Sequence, residues 1–166
     1  GGALRSNADA GGADIGKWTR SATVMKRTGE IVVHDRDALR FSYRSSSLDE
    51  LVILSAELEL ERGDSAEITK RLQKLWIIKK ASEPQGTHNA GCIFKDVGGV
   101  SAASLIENAG LRSSEVGKAI ICDKNANFII AEPGATFDDV YGLIELVKSG
   151  VEDRLGVELE TAIDIW

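Results

Sequence analysis

Residues 51–62 read Leu-Val-Ile-Leu-Ser-Ala-Glu-Leu-Glu-Leu-Glu-Arg. Val52, Leu54, Ala56, Leu58 and Leu60 recur at every second position, with Glu57, Glu59 and Glu61 between them. This period of two predicts a strand with one apolar face. Upstream, residues 18–34 predict a hairpin. Ala22, Val24 and Lys26 alternate with Thr23, Met25 and Arg27, Thr28-Gly29 makes the turn, and Ile31-Val32-Val33 returns. A short helical turn capped by Asp35 is expected near Asp35–Leu39.

The period changes after Gly63. Asp64, with Glu67 three residues on, has the arrangement of a capping box, and Ile68, Leu72, Leu75 and Trp76 then form one helical stripe. The stripe reads as core packing. Residues 81–89 (ASEPQGTHN) form a loop and a subdomain boundary. Beyond it the pattern predicts a short strand near Ile93-Phe94, a turn at Gly98-Gly99, and a helix from about Ser101 to Asn108 closed by Gly110. Strands at about 117–122 and 127–131 follow, then a long helix from Thr136 to about Leu155. Thr136 and Asp139 cap that helix, and Val140, Leu143, Ile144, Val147 and Val151 line its buried face. A last strand is expected to end at Trp166. Strands and helices mix without strict alternation, so the class is α+β with two small layered units.

Composition narrows this picture. The chain has 166 residues, 43% apolar and 28% charged, which suits one compact domain or two small ones. Its net charge is −6, and no basic run exceeds Lys79-Lys80, which argues against a nucleic-acid binder. No apolar run approaches the roughly 20 residues of a membrane helix, so no membrane partner is expected and the location is read as cytoplasmic. Cys92 and Cys122 form neither a disulfide framework nor a C-x-x-C pattern, and His34 and His88 lack partners at metal-ligand spacing. No metal is expected. Residues 1–16 hold five glycines and read as a loop. It is either backbone that approaches a ligand closely or a flexible end. The absence of an initiator Met makes the start look like the inside of a domain.

No phosphate-binding glycine loop or nucleophile elbow is present. The specific signal is a set of segments in order: Gly1–Gly12 (GGALRSNADAGG), Phe41-Ser42-Tyr43-Arg44-Ser45-Ser46, Asn89-Ala90-Gly91-Cys92-Ile93-Phe94-Lys95, Ser104–Arg112 with Gly117 and Ala126–Ile130, and Asp138-Asp139-Val140 followed by Gly156–Glu160. Together they resemble the C-terminal part of the UDP-N-acetylenolpyruvoylglucosamine reductase (MurB) family, in its short-loop branch, which lacks an extra substrate-capping loop. The resemblance implies part of a MurB-like FAD-binding domain over residues 1–80 and a small α+β substrate domain over 81–166.

It also implies chemistry. Family members take hydride from NADPH onto FAD and deliver it to the enolpyruvyl group of UDP-N-acetylglucosamine enolpyruvate, giving UDP-N-acetylmuramate for peptidoglycan. The catalytic positions implied are Arg44, a bidentate cation for the substrate carboxylate, and Cys92, the acid that protonates C2. Tyr43, Lys80, Lys95 and Asp96 fall at substrate-binding positions, and Gly2, Asn7 and Gly12 at cofactor-binding ones.

Three departures stand against this. The part expected to grip the FAD pyrophosphate precedes Gly1, so a segment N-terminal to this chain, or self-association, is expected to complete the site. Ala162 stands where the family has a catalytic Glu, with Glu160 two residues away. Asp96 stands where the family has Asn, and Asn125 replaces a common His. Two readings follow: a fragment of a reductase that is inactive alone, or a non-catalytic MurB-like binding or scaffolding module.

Overall fold

A computed structural model describes every residue except Gly11, Leu51 and Trp166. The chain divides into two units, Gly1–Arg71 and Leu72–Trp166. The first unit begins with two four-residue helices, α1 (Gly2–Arg5) and α2 (Ile15–Trp18). Strands β1 (Thr19–Met25), β2 (Ile31–Asp35), β3 (Phe41–Ser42), β4 (Ser45–Ser46) and β5 (Val52–Leu58) follow. β1 lies between β2 and β5, antiparallel to both. The hairpin forms as the alternation predicts: Ala22 pairs with His34 and Val24 with Val32. Ala22 and Val24 are fully buried and pack with Leu4, Leu39 and Leu48. The Asp35 cap takes the form of a turn, whose carbonyl accepts from Ala38 and Leu39.

β5 forms, but its apolar face is not the one expected. Val52 and Leu54 are 38% and 48% exposed, while Ile53 packs on the core. The register explains this. Val24 pairs with Ile53, Thr23 with Ser55 and Ala22 with Ala56, so Leu54 is an extra residue in β5. Such a bulge shifts the phase of the strand by one residue, so a sequence alternation that runs straight through it cannot stay on one face. The strand ends at Leu58, leaving Leu60 outside it. Its expected first residue, Leu51, lies outside the described residues.

Helix α3 (Ser65–Ser82) spans the division between the units. Asp64 Oδ1 accepts from the amides of Ala66 and Glu67 at 3.0 and 2.9 Å, so the helix starts where the sequence predicts. The expectation of core packing fails: Ile68, Leu72 and Trp76 are 47%, 62% and 62% exposed, and no described α3 residue is buried. An amphipathic stripe is buried only where an opposing apolar surface meets it; of this stripe Leu75 is half-buried.

The second unit continues with α4 (Ala102–Asn108), then β6 (Glu115–Val116), β7 (Ala119–Ile121) and β8 (Ile129–Ala131) in an antiparallel sheet of that order, and α5 (Phe137–Leu155). The sequence pattern does not predict β6. Leu143, Ile144, Val147 and Val151 of α5 are buried, as the helical spacing predicts, and share one core with Leu105, Ile106, Ile121, Ile93 and Phe94. No strand is assigned from 156 to 165; an isolated bridge pairs Phe94 with Thr161 instead. The expected terminus of that strand, Trp166, lies outside the described residues. Each unit mixes strands and helices, so the class is α+β. Among the described residues no helix is long and apolar enough to cross a membrane.

The start of α5 is fixed by a reciprocal cap. Thr136 Oγ1 accepts from the Asp139 amide and the Asp139 carboxylate accepts from the Thr136 amide. Gly117 makes room for that carboxylate: its φ is +55°, and a Cβ there would lie 2.0 Å from Asp139 Oδ1. The Thr136 amide holds the Asp139 carboxyl below its usual range against a smaller desolvation, with further help from the Lys118 amide. A carboxyl depressed in the folded state stabilises fully above its unfolded pKa, about 3.9, and that stabilisation is lost as pH falls through the folded value. The thermal midpoint is therefore expected to drop less between about pH 5 and pH 3 in Asp139→Asn than in the parent chain. Equal drops in the two proteins would show that the cap carries no proton linkage.

Candidate functional site

In the first unit, Tyr43 and Arg44 form the two-residue turn between β3 and β4. Arg44 adopts a φ of +53°, a left-handed conformation that costs a bulky L-residue about 1–3 kcal/mol and concentrates at functional positions. Its Nη2 lies 3.6 Å from Asp9 Oδ1, and its guanidinium stands 5.9 Å from the centre of the Tyr43 ring. The turn thus presents a cation, a phenol and a neighbouring carboxylate.

Asn7, also at positive φ, is 4% exposed. Its Nδ2 donates to the Ser42 carbonyl at 2.9 Å and its Oδ1 accepts from the Gly16 amide at 3.0 Å. The amide therefore ties the glycine-rich segment to β3. Gly16 must be glycine, because a Cβ would lie 2.4 Å from the Phe41 ring. Gly2 and Gly12 are exposed, and a Cβ on either meets nothing within 4 Å, so the main chain there is open to approach.

The second unit holds the remaining candidates. Cys92, exposed, follows Gly91, whose φ is +83° and whose amide donates to Asn89 Oδ1. Cys92 forms a bridge with Phe128 and Phe94 one with Thr161, so residues 92–94 run between two other segments. On one side the Ile93 amide donates to the Asn127 carbonyl. On the other the Lys95 amide donates to the Glu160 carbonyl and the Ala162 amide to the Ile93 carbonyl. Lys95 Nζ forms an ion pair with Glu160 Oε1.

Cys92, Lys95, Glu160 and Ala162 therefore belong to one small patch. Position 162, where the sequence resemblance looks for a carboxylate, hydrogen-bonds the residue next to Cys92. Asp96 accepts from the Ala102 amide at 2.9 Å, beside the Ser101 N-cap of α4. An ionised carboxylate suits a helix N-terminus. Lys80 lies apart from this patch in the contacts it makes, its Nζ 4.9 Å from the Trp76 ring centre. Cys122 is buried, and neither cysteine is in a disulfide.

Residues 83–166, which hold this patch, match the family model described as UDP-N-acetylenolpyruvoylglucosamine reductase, C-terminal domain. The chain belongs to the MurB family. It is 36% identical over 167 residues to the UDP-N-acetylenolpyruvoylglucosamine reductase of Caldanaerobacter subterraneus subsp. tengcongensis, covering 99% of this chain and 55% of that protein. It is 35% identical over 168 residues to the reductase of Anoxybacillus flavithermus, covering 99% of this chain and 56% of that one. Among solved structures it is similar to the crystal structure of MurB from Thermus caldophilus, with a TM-score of 0.86 and 29% identity over 100% of this chain and 59% of that one. The chain thus spans about half the length of the curated MurB relatives it matches.

The motifs give no role to Asn127, which falls in the Ala126–Ile130 run of family likeness, although an amide between Ala126 and the apolar Phe128–Ile130 is the mark of a buried, satisfied polar group. Glu160 is singled out only for lying two residues from position 162, while the structure joins it to Lys95. That pairing has no local signal, since 65 residues separate the two.

Proposed function

We propose that this chain is the C-terminal portion of a UDP-N-acetylenolpyruvoylglucosamine reductase, a cytoplasmic enzyme of peptidoglycan precursor synthesis. In this reading residues 1–80 belong to its FAD-binding domain and 81–166 form its substrate domain. The observation that carries the reading is Cys92, an exposed thiol on a doubly held segment inside the family-matched region.

The residues present fit a flavin in part. The open main chain at Gly2 and Gly12 suits close approach of a cofactor, whereas the Asn7 amide is spent on Ser42 and Gly16 and holds the loop in shape. When bound, FAD with NADPH would supply the hydride. The chain's own residues would do the rest. Arg44, already beside one carboxylate at Asp9, would pair with the carboxylate of the enolpyruvyl group and stabilise the charge that grows there. Cys92 would give its proton to C2, a task for which a thiol, with a reference pKa near 8.5, is better suited than a hydroxyl. Tyr43 would flank the sugar nucleotide, and Lys95 and Lys80 would hold its phosphates. Asp96 faces a helix N-terminus, which accommodates a charge where the family has an amide.

Ala162 favours a second reading, a MurB-like module that binds a UDP-sugar without reducing it. Glu160, a carboxylate two residues away, is engaged by Lys95. Both readings meet one test in a polypeptide completed to family length. The first expects a yellow protein that oxidises NADPH only when the enolpyruvyl substrate is present. Arg44→Ala should then lower kcat/KM by about 10²–10³-fold, the loss of one well-placed charge donor, and Ala162→Glu should raise kcat. A colourless protein that binds a UDP-sugar in calorimetry without turnover would favour the second reading and sink the first.

A further inference from the structure

We infer that Asn127 is the positioning residue of the Cys92–Lys95 segment, acting as a built-in strand partner that fixes where the thiol and the ammonium stand. Asn127 is 5% exposed, and each of its polar groups is engaged. Oδ1 accepts from the Phe94 amide at 2.8 Å, and Nδ2 donates to the Phe94 carbonyl at 2.9 Å. Its own carbonyl accepts from Ile93, and its amide donates to Asn125 Oδ1.

A primary amide offers one acceptor and one donor side by side, as a neighbouring strand's peptide groups do. The Asn127 side chain therefore supplies the rung that the main chain does not. Pairing between residues 92–94 and 127–128 is only an isolated bridge, with no continuous ladder. On the opposite edge the segment is held by Glu160 and Ala162. Phe94, 2% exposed in the core, is thus gripped by its ring and by both main-chain groups. Cys92 stands two residues before it and Lys95 one after.

No common substitute reproduces the grip. Aspartate accepts from the Phe94 amide but sets a charge against its carbonyl. Glutamine carries the same groups one methylene too far. Alanine or leucine leaves a buried N–H and C=O unmet, which destabilises by about as much as a lost core contact. The inference deepens the proposed function, because it rests on Cys92 as the proton donor there, but its primary readout needs neither cofactor nor substrate.

The test uses Asn127→Asp and Asn127→Gln in the 166-residue chain with Cys122→Ala, so that Cys92 is the one thiol present. The rate of Cys92 alkylation by iodoacetamide is followed against pH, with circular dichroism and melting to establish folding. The expected result is a folded variant whose alkylation midpoint is displaced by about half a pH unit or more, on a scale where folded thiols vary by several units. In the family-length polypeptide the same variant should lose kcat on the order of 100-fold, the effect of misplacing a catalytic group by about 1 Å, with KM changed less than about threefold.

A folded variant with an unchanged midpoint overturns the inference. So does unfolding of both variants, which would make Asn127 a core residue and nothing more. If the midpoint moves while the unsubstituted family-length protein shows no turnover, the positioning role stands and the reductase reading falls.

Discussion

Cys92→Ala is expected to lower kcat for enolpyruvyl reduction by on the order of 10²–10⁴-fold in a flavin-loaded polypeptide of family length, the range that a positioned general acid contributes. KM should change far less, because the proton is transferred after the substrate is seated. Cys92→Ser should fall between the two proteins, since a hydroxyl occupies the same place as a poorer acid. Single-turnover kinetics separate the steps: NADPH consumption should keep its rate while product formation slows. The thiol is exposed at the end of a segment with partners on both edges, so its removal should leave the fold in place. If NADPH consumption slows equally, Cys92 acts before the proton transfer and the assignment is wrong.

Leu143→Ala is expected to destabilise the second unit by about 3–5 kcal/mol. Leu143 is fully buried at the centre of the α5 face, in one core with Ile106, Ile144 and Val147. Removing its isopropyl group deletes packed surface and leaves a cavity that a helix fixed by a cap at each end cannot close. Set against a total stability of about 5–15 kcal/mol for an ordinary domain, the loss is enough to populate the unfolded unit. Urea denaturation followed by circular dichroism measures it, with Leu146→Ala, on the 38% exposed side of the same helix, as a control. That control should cost under about 1 kcal/mol. Similar losses for both would mean that the helix is not held by its inner face.

The elements legible in the sequence are those whose signal is local. The Thr19–Asp35 hairpin shows in its alternation and turn, and α5 shows in its spacing and its Thr136–Asp139 cap. What misled was set by partners elsewhere in the chain. The even-numbered apolar face of β5 is split by a bulge that only β1 defines, and nothing within α3 says whether its stripe meets an opposing surface. The candidate residues divide in the same way. Tyr43, Arg44 and Cys92 are proposed from motifs alone, while the Asn127 grip and the Lys95–Glu160 pair depend on approach between distant segments. Asp96, which looks like a misplaced charge beside an anionic substrate, makes sense once the N-terminus of α4 is seen to receive it.

The two-sided hold on residues 92–95 also dictates a schedule. Lys95 and Glu160, which share a main-chain bond and an ion pair, lie 65 residues apart. A ribosome adding about 5–20 residues per second makes the second roughly 3–13 s after the first. Through that interval the nascent chain has the Asn127 edge at most, and the patch around Cys92 stays half built until Glu160 is made. Premature termination anywhere between α5 and Glu160 would release a chain with its helix and sheet made and the Cys92–Lys95 segment held on one edge only.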